Sequence, residues 1–516
     1  MTASAYIEIK HTTSRLVCTP DILQTVKYFV CYQETALPPV QVQKCIRDFF
    51  VGYDREGGDA DIWAVRRDKA IQHTAHFYSF DLDELNTLML RNIFRADHRH
   101  DGWKRLVKDT GHFPTGLLPL IERALRYRVG ITWNVIDRRG PRPQARQFCK
   151  PPSGYPDQIA AVQAFIAAGR GVADMPPRSG KTRVAIIVVC ELGLPTLFVA
   201  PNKGLARQTA ARFAEHLGDD NVACVTGGKQ SARRLARLAA KLVWVATPKT
   251  ALGLTNKRSR QVLIIDEFHH AAAATWKKLA MEYDTTWYRL GLTGTHFRAD
   301  GRDMEMQGVL GTTVYSTTVS DMVNCGRVVP ARIAMLRING PPPRGEGNWY
   351  AAGIVDYTIR NQVLTWAARE LITAGKRVLC LVKEVRHGEA LRDQIPGSVF
   401  VSGESGVVTD QQLARLARRE ISCVIGTSVI GEGRDVPAAD ALVYFCGGKS
   451  RVKVTQDYFR VLTASPGKQR GIIVDAADCQ SATLTEHAAR RLQIYRAEPA
   501  FETSVLEWQD FSRWLT

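Results

Sequence analysis

The sequence has little that suits a membrane-spanning or secreted protein. It has no run of about 18 uncharged apolar residues, and its most apolar stretch, residues 184–200, is broken by Glu191, Gly193 and Pro195. The first ten residues lack a basic region followed by an apolar core, so we expect no secretory signal. The 11 cysteines are scattered, and no two of them form a C-x-x-C pair. These absences argue against a zinc ribbon and a disulfide framework, and they predict a reduced, cytosolic type of compartment.

Acidic residues are too few to balance the basic ones. The chain of 516 residues has 69 Lys and Arg against 51 Asp and Glu, a net charge of +18. Half of this excess lies in residues 91–150, where 14 basic residues face 5 acidic ones, whereas the first 90 residues have 9 and 12. Such a balance indicates a polyanionic partner, either nucleic acid or an acidic membrane surface.

Short apolar runs alternate with amphipathic stretches from about residue 155 to 335 and again from about 378 to 495. Because apolar strands with helices between them indicate a parallel sheet covered on both faces, each stretch predicts an α/β domain. A proline and glycine cluster at residues 340–347 separates the two, and we interpret it as a loop or hinge. Predicted strands are 197–200, 243–246, 262–265 and 288–292 in the first domain, and 378–382, 398–401, 423–426, 441–445 and 471–474 in the second.

The first 150 residues predict a smaller α/β domain. A helix entry at residues 113–118 is followed by a helix to about Arg128 and a strand at 131–136. We therefore divide the chain into residues 1–150, 151–340 and 341–495, with a C-terminal helical tail at 496–516.

A phosphate-binding loop is indicated by Gly180-Lys181-Thr182, which lies between an apolar strand and an apolar helix. In such a loop, backbone N–H groups and the helix N-terminus cradle a phosphate. Lys181 supplies a charge to the β- and γ-phosphates, and Thr182 offers a hydroxyl to Mg²⁺. Met175 stands where the full pattern has its first glycine. The residues expected to contact nucleotide phosphates are Pro177, Arg178, Ser179, Gly180, Lys181 and Thr182.

Two carboxylates, Asp266 and Glu267, directly follow an apolar strand 85 residues after Lys181. The carboxyl ends of parallel strands are where α/β proteins bind ligands. Asp266 can therefore hold the Mg²⁺ shell, and Glu267 can orient and deprotonate a water that attacks the γ-phosphate.

The second α/β domain contains a glycine-rich segment at 425–437 and the sequence Gln456-Asp457-Tyr458-Phe459-Arg460. Glycines permit close backbone approach and positive φ. An arginine that one lobe offers to a nucleotide held by another stabilises transferred charge, and Arg460 is the candidate for this role.

Taken in order, these segments resemble the motifs of superfamily 2 DExH helicases, closest to the xeroderma pigmentosum group B and phage UvsW-type group. The resemblance extends from about residue 155 to 495. The matching segments are 155–158 for the glutamine motif, 176–182 for motif I, 200–208 for motif Ia, 246–248 for motif Ib, 266–269 for the DExH box, 293–295 for motif III, 298–300 for the Arg-Glu-Asp position, 378–390 for motif IV, 426–437 for motif V and 456–460 for motif VI.

The resemblance implies two tandem RecA-like lobes that clamp ATP and Mg²⁺ and bind a nucleic-acid strand across their upper face. It implies that Gln158 reads adenine and that the metal is held by Thr182 and Asp266. Further implied ATP contacts are Gly433, Asp435, Gln456 and Arg460, and implied strand contacts are Lys203, Thr247 and Thr427. Catalysis would then rest on Lys181, Asp266, Glu267, Gln456 and Arg460.

The basic segment before the motor resembles the accessory region of phage members of this group, which grips duplex or branched DNA. Its candidate contacts are Trp103, Arg105, Arg126, Arg128, Arg138 and Arg139, and the alternative is that several of these arginines dock the domain on the motor. We therefore expect an ATP-dependent DNA helicase or translocase that remodels forked or branched DNA in replication, recombination or repair. It would act as a monomer, beside replication or recombination proteins, in a bacterial or phage-infected cytoplasm or in a nucleus.

Two departures keep other functions open. Family motif VI reads Q-x-x-G-R-x-x-R, but here Phe459 replaces the glycine and Thr463 the last arginine. Arg178 stands where helicase loops usually have glycine. One alternative is therefore a nucleic-acid-binding scaffold with a degenerate motor, with Lys468 a possible compensating charge in an active one. Another alternative is an RNA helicase.

Overall fold

The computed structural model describes residues 5–10, 13–29, 31–33, 103–108, 110–129, 131–227, 238–267, 273–294, 303–343, 348–402, 406–427, 436 and 438–516. Within these residues, a small mixed sheet precedes two seven-stranded sheets whose strands all run parallel. The predicted class, two tandem α/β lobes behind a small accessory domain, is confirmed.

The accessory domain is built on a four-stranded sheet with the order β5-β2-β1-β6, in which β1 and β6 are parallel. Strands β1 and β2 alternate buried and more exposed residues, so one face packs on the helices and forms a core around Ile7, Leu16 and Phe113. Its elements are β1 (Ala5–Ile9), β2 (Thr13–Val17), α1 (Pro20–Phe29), β3 (Cys31–Gln33), β4 (Trp103–Arg105), β5 (His112–Pro114), α2 (Leu118–Ala124) and β6 (Trp133–Asp137).

The first lobe has the strand order β13-β7-β12-β11-β8-β10-β9. Its central strands are buried on both faces, because helices cover each side of the sheet. Its elements are α3 (Pro156–Ala168), β7 (Arg170–Asp174), α4 (Lys181–Leu192), β8 (Thr196–Val199), α5 (Lys203–Leu217), β9 (Val222–Val225), β10 (Val243–Ala246), α6 (Pro248–Leu252), β11 (Val262–Asp266), α7 (Ala273–Glu282), β12 (Tyr288–Thr293), α8 (Asp303–Leu310), β13 (Thr313–Ser316) and α9 (Val319–Asn324).

The second lobe has the order β16-β17-β15-β18-β19-β14-β20. Its cores lie on the two faces of the sheet. Its elements are β14 (Ala331–Ile338), α10 (Thr358–Thr373), β15 (Val378–Leu381), α11 (Val385–Arg392), β16 (Ser398–Val401), α12 (Gly406–Ala417), β17 (Cys423–Gly426), β18 (Ala441–Tyr444), α13 (Arg451–Tyr458), β19 (Gly471–Asp478), α14 (Ala482–Arg496), β20 (Phe501–Leu506) and α15 (Phe511–Leu515).

Two predicted boundaries are wrong. Strand β14 lies in the second sheet, between β19 and β20, so the chain enters the second lobe before residue 331 rather than at 340. The cluster at 340–347 therefore follows a strand of the second lobe, as its described residues 340–343 show, and does not separate the lobes. The tail at 496–516 is not simply helical, because β20 completes the edge of the sheet before α15.

The accessory domain packs closely on the first lobe through Gly116, which follows β5. A Cβ added to Gly116 would lie 2.0 Å from the carbonyl oxygen of Gln307 in α8. A side chain at this position would therefore push the domain away from the motor.

None of the described helices combines the length and apolar character required to cross a membrane.

His387, in the segment that resembles motif IV, gives the second lobe a pH dependence. Its side chain is buried, and burial together with the Arg360 charge lowers its pKa to about 4. Below about pH 6.5 the His387 imidazole is protonated in the unfolded chain but remains neutral in the folded chain. The free energy of unfolding therefore falls as the pH decreases towards 4. We expect the free energy of unfolding to fall by about 2 kcal/mol between pH 7 and pH 5 from this residue alone.

Urea unfolding of the native chain and of His387→Gln at both pH values measures this effect. The variant should lose that part of the pH dependence, whereas His216→Gln, on an exposed helix face, should retain it. Equal pH slopes in the native chain and His387→Gln would contradict the assignment.

Candidate nucleotide and nucleic-acid site

A cavity of about 620 Å³ lies between the two lobes, at the carboxyl ends of β7, β8 and β11. Phosphate-loop residues, the acidic pair and two residues of the second lobe meet there, although they are separated by up to 283 positions along the chain. Its lining is Pro177, Arg178, Gly180, Lys181, Thr182, Pro201, Asn202, Leu205, Gln208, Thr209, Arg212, Asp266, Glu267, Gln456 and Arg460.

The phosphate loop is held by Gln158 from the first turn of α3. The Gln158 side-chain amide donates a hydrogen bond of 2.7 Å to the Ser179 carbonyl oxygen and accepts one of 3.1 Å from the Tyr155 backbone N–H. Gly180 has φ +81°, and a Cβ there would lie 2.3 Å from the Gln158 amide nitrogen. Gln158 is buried and is not part of the cavity lining, so adenine reading by this residue stays a prediction.

Arg178 has a positive φ of 70° in this loop, a conformation that non-glycine residues rarely adopt. The loop thus keeps the backbone shape that a glycine would supply, and it stores strain at the cavity edge. Ser179, next to it, is fully buried, and its hydroxyl has no hydrogen-bond partner among the described residues.

Lys181 and Glu267 form an ion pair across the cavity. The Lys181 Nζ lies 3.0 Å from the Glu267 Oε1 and donates a second bond of 3.2 Å to the Met175 carbonyl oxygen. Gly294, after β12, approaches closely, since a Cβ there would lie 2.9 Å from the Lys181 Nζ. Glu267 itself has φ +45°, a strained conformation for a residue other than glycine. Polyphosphate would compete with Glu267 for the lysine.

Asp266 fits a divalent cation. Burial and the Glu267 charge raise its pKa to about 7, although Lys181 opposes this shift. Its Oδ1 is buried and has no hydrogen-bond partner within the described part of the chain. Thr182 lines the same cavity, so a carboxylate and a hydroxyl oxygen are available together. Oxygen ligands of this kind suit Mg²⁺, whose charge would offset the cost of ionising Asp266.

The second lobe contributes Gln456 from α13 and Arg460 from the turn that follows it. Asp457 holds Arg460 in place, because its Oδ1 accepts bonds of 3.3 and 3.2 Å from the Arg460 Nε and Nη2. Phe459 is fully buried and stacks on Tyr458 at 5.2 Å, so its replacement of the family glycine serves packing. Lys468 donates a bond to the Ala439 carbonyl oxygen and is not part of the cavity lining, so its expected compensating role is not supported.

Sequence reasoning missed several lining residues of α5, above all Arg212. Leu205, Gln208 and Arg212 follow one another at spacings of three and four residues, which places them on one helix face. That spacing was available in the sequence. The guanidinium of Arg212 adds a cation to a cavity already fitted for phosphates.

The expected strand contacts of the motor all follow the carboxyl ends of strands. Lys203 is exposed at the start of α5 after β8. Thr247 follows β10 and Thr427 follows β17, and both are largely buried, at 9% and 6% exposure. The Thr247 hydroxyl shares a hydrogen bond of 3.0 Å with Thr250. The roles of these residues stay predictions.

One of the predicted accessory-domain contacts, Arg139, faces protein instead. Arg139 pairs with Asp137 at 2.6 Å and stacks over the Trp287 ring of the first lobe at 4.7 Å. This residue therefore docks the domain on the motor, as the alternative interpretation allowed. Arg138 remains half-exposed although it bonds Glu8 at 3.0 Å, and Arg126 lies 5.8 Å from the Trp133 ring centroid.

Several predicted residues lie outside the described part of the chain. For Trp103, Arg105 and Arg128 only the backbone is described, with the first two on β4. The predicted residues outside it altogether are Gly433, Asp435 and the motif segments 268–269, 295, 298–300, 428–435 and 437.

Comparison with known proteins agrees with this geometry. Residues 152–298 match the family model described as "Type III restriction enzyme, res subunit". The "DNA 3'-5' helicase XPB" of Kineococcus radiotolerans is 24% identical over 367 residues, which cover 69% of this chain and 65% of that protein. The chain is thus similar to superfamily 2 helicases of the XPB group. The motifs predicted this relation, which is confirmed.

The matched relatives include a protein named as an RNA helicase. The "Putative ATP-dependent RNA helicase L396" of Acanthamoeba polyphaga mimivirus is 22% identical over 354 residues, covering 65% of this chain and 66% of that protein. The chain therefore spans less than two thirds of the length of the curated relatives it matches first.

Solved structures resemble this chain to different degrees. The type ISP restriction-modification enzyme LlaBIII bound to DNA has a TM-score of 0.54 and 13% identity, over 75% of this chain and 34% of that one. T4 UvsW matches 98% of this chain and 100% of its own, with a TM-score of 0.43 and 16% identity.

Proposed function

We propose that this helicase hydrolyses ATP with Mg²⁺ to move along DNA, and that it remodels forked or branched DNA in replication, recombination or repair. The observation that carries the proposal is the convergence of Lys181, Glu267 and Arg460 on one interlobe cavity. These are the three charges that nucleotide binding, water activation and charge stabilisation require.

ATP enters as the phosphates replace Glu267 beside Lys181. The phosphate loop surrounds the β-phosphate, while Thr182 and Asp266 would hold Mg²⁺, which would supply positive charge to the bound phosphates. Glu267, released from the lysine, orients the attacking water and accepts its proton. Arg460 stabilises the charge that develops on the γ-phosphate.

Hydrolysis moves nucleic acid because the two lobes share the nucleotide. Gln456 and Arg460 belong to the second lobe, so they approach the phosphates only when the cavity is closed. Lys203, Thr247 and Thr427 follow the ends of β-strands in the two lobes. They would hold the nucleic-acid strand while the lobes move apart or together. Loss of the γ-phosphate removes the attraction for Arg460 and lets the lobes separate.

DNA is favoured over RNA by the printed names of most relatives, which are DNA helicases or translocases, although one is an RNA helicase. The basic segment 91–150 supports a separate grip on duplex DNA, through Arg138, Arg126 and the other predicted contacts except Arg139. We propose a monomer that works beside replication or recombination proteins in the cytoplasm. A scaffold without hydrolysis is less well supported, because each catalytic charge is present in the cavity.

ATP turnover measured with single-stranded, duplex, forked and four-way DNA, and with RNA of the same sequences, tests the proposal. We expect forked or four-way DNA to raise turnover at least about tenfold above the basal rate, and Lys181→Ala to abolish it. Stimulation by RNA alone would establish the RNA helicase. Turnover absent with every nucleic acid would establish the scaffold.

A further inference from the structure

Arg327 lies where the chain crosses from the first lobe to the second. The crossing is strand-paired with the segment that follows Arg460. Val328 bridges Thr463, the Val329 N–H donates a bond of 2.8 Å to the Leu462 carbonyl oxygen, and the Ala464 N–H donates one of 3.2 Å to the Arg327 carbonyl oxygen. The backbone of Arg327 is therefore tied to the second lobe.

The Arg327 side chain reaches the other way, to the edge of the nucleotide cavity in the first lobe. Its Nη1 lies 2.7 and 2.6 Å from the two carboxylate oxygens of Asp157 in α3. Its Nη2 donates a bond of 3.4 Å to the Arg178 carbonyl oxygen, and the guanidinium lies 4.7 Å above the Tyr155 ring. The side chain is 6% exposed, so these contacts are shielded from water.

We propose that Arg327 is a positioning residue that links occupancy of the nucleotide cavity to the placement of Arg460 in the second lobe. The inference rests on the proposed function and deepens it. One end of the link is the strained phosphate loop, and the other is the segment that immediately follows the arginine that faces the γ-phosphate.

The geometry gives this link a physical basis. Arg178 holds φ +70° and Arg327 bonds its carbonyl, so any shift of the loop on phosphate binding changes a contact of Arg327. The buried pair with Asp157 anchors Arg327 to α3, which Gln158 ties to the loop through the Ser179 carbonyl. Because a buried charge-assisted pair resists separation more than an exposed one, a joint shift of loop and α3 is passed to the backbone of residue 327. The β-bridge to Thr463 then moves the turn that presents Arg460.

The link also bears on the missing arginine of motif VI. Thr463 stands at the position of that arginine, and it is Thr463 that pairs with the crossing strand beside Arg327. Arg327 would therefore link the nucleotide cavity to the very position where the family pattern has its last arginine. A lysine cannot replace it fully, because an ammonium can pair with Asp157 but cannot also span Arg178 and stack on Tyr155.

The test compares Arg327→Ala and Arg327→Lys with the control Arg332→Ala, an arginine in β14 of the second lobe that pairs with Glu502. The readouts are the KM for ATP, the basal rate and its stimulation by forked DNA. We expect Arg327→Ala to lose about tenfold in stimulation and to raise KM less, and Arg327→Lys to restore KM but not stimulation. The control should match the native chain.

Stimulation within twofold of native in Arg327→Ala would overturn the proposal. So would a proportional loss of basal and stimulated rates, which indicates a merely structural role, or an equal loss in the control. If the native chain hydrolyses no ATP with any nucleic acid, the proposed function fails separately. Arg327 is then judged by binding of a fluorescent ADP analogue, and unchanged affinity in Arg327→Ala would overturn its link to the cavity.

Discussion

Glu267→Gln should bind ATP at least as tightly as the native chain and hydrolyse it on the order of 10³-fold more slowly. The amide retains the shape of the side chain but cannot accept the proton of the attacking water. Because Asp266 and Thr182 are untouched, Mg²⁺ and nucleotide should still bind.

The expected gain in affinity comes from the ion pair with Lys181. In the structure, the lysine faces Glu267 at 3.0 Å, and ATP must replace this partner. Removing the negative charge takes away the competition, so the affinity for ATP should rise by a few fold. The same substitution thus moves binding and catalysis in opposite directions, which loss of folding would not do.

Single-turnover hydrolysis and equilibrium binding of a fluorescent ATP analogue separate the two effects. Glu282→Gln is a matched control, since Glu282 pairs with Lys257 away from the cavity. A hydrolysis rate in Glu267→Gln within tenfold of native would show that another group activates the water.

The amino-acid sequence predicted those parts of the motor that depend on local pattern. Apolar runs with helices between them identified both parallel sheets, because a strand buried on two faces has no polar alternation. The phosphate loop and the acidic pair were found because each follows an apolar strand, and strand ends meet at one sheet edge. Their approach at 3.0 Å, as a salt bridge, depends on side-chain conformations that spacing does not specify.

Long-range pairing explains most of what the sequence did not reveal. Strand β14 shows ordinary apolar character, but only its partners β19 and β20 assign it to the second lobe. The sequence does not show that Arg139 stacks on Trp287, because the two residues are 148 positions apart in the chain. Arg327 bonds Asp157, which lies 170 positions earlier in the chain, and no sequence motif contains both residues.

Arg460→Ala should lower the rate of ATP hydrolysis by about 10² to 10³ and leave nucleotide affinity within a few fold of native. Arg460 lines the cavity from the second lobe, whereas Lys181 and the phosphate loop hold the ground state from the first. A charge that meets the γ-phosphate only in the closed state contributes to the rate and little to binding.

The loss should be large because the usual second arginine is replaced by Thr463, and Lys468 instead bonds the Ala439 carbonyl away from the cavity. Lys468→Ala is therefore the control and should hydrolyse ATP at the native rate. Arg460→Lys should recover only part of the activity. A single ammonium group cannot bond Asp457 as the Arg460 guanidinium does and face the phosphate at the same time. Stopped-flow phosphate release measures all three variants. A loss below tenfold in Arg460→Ala would point to Arg212, a further cation of the cavity lining, as the source of the charge. The double variant Arg212→Ala with Arg460→Ala would then lose activity that neither single variant loses.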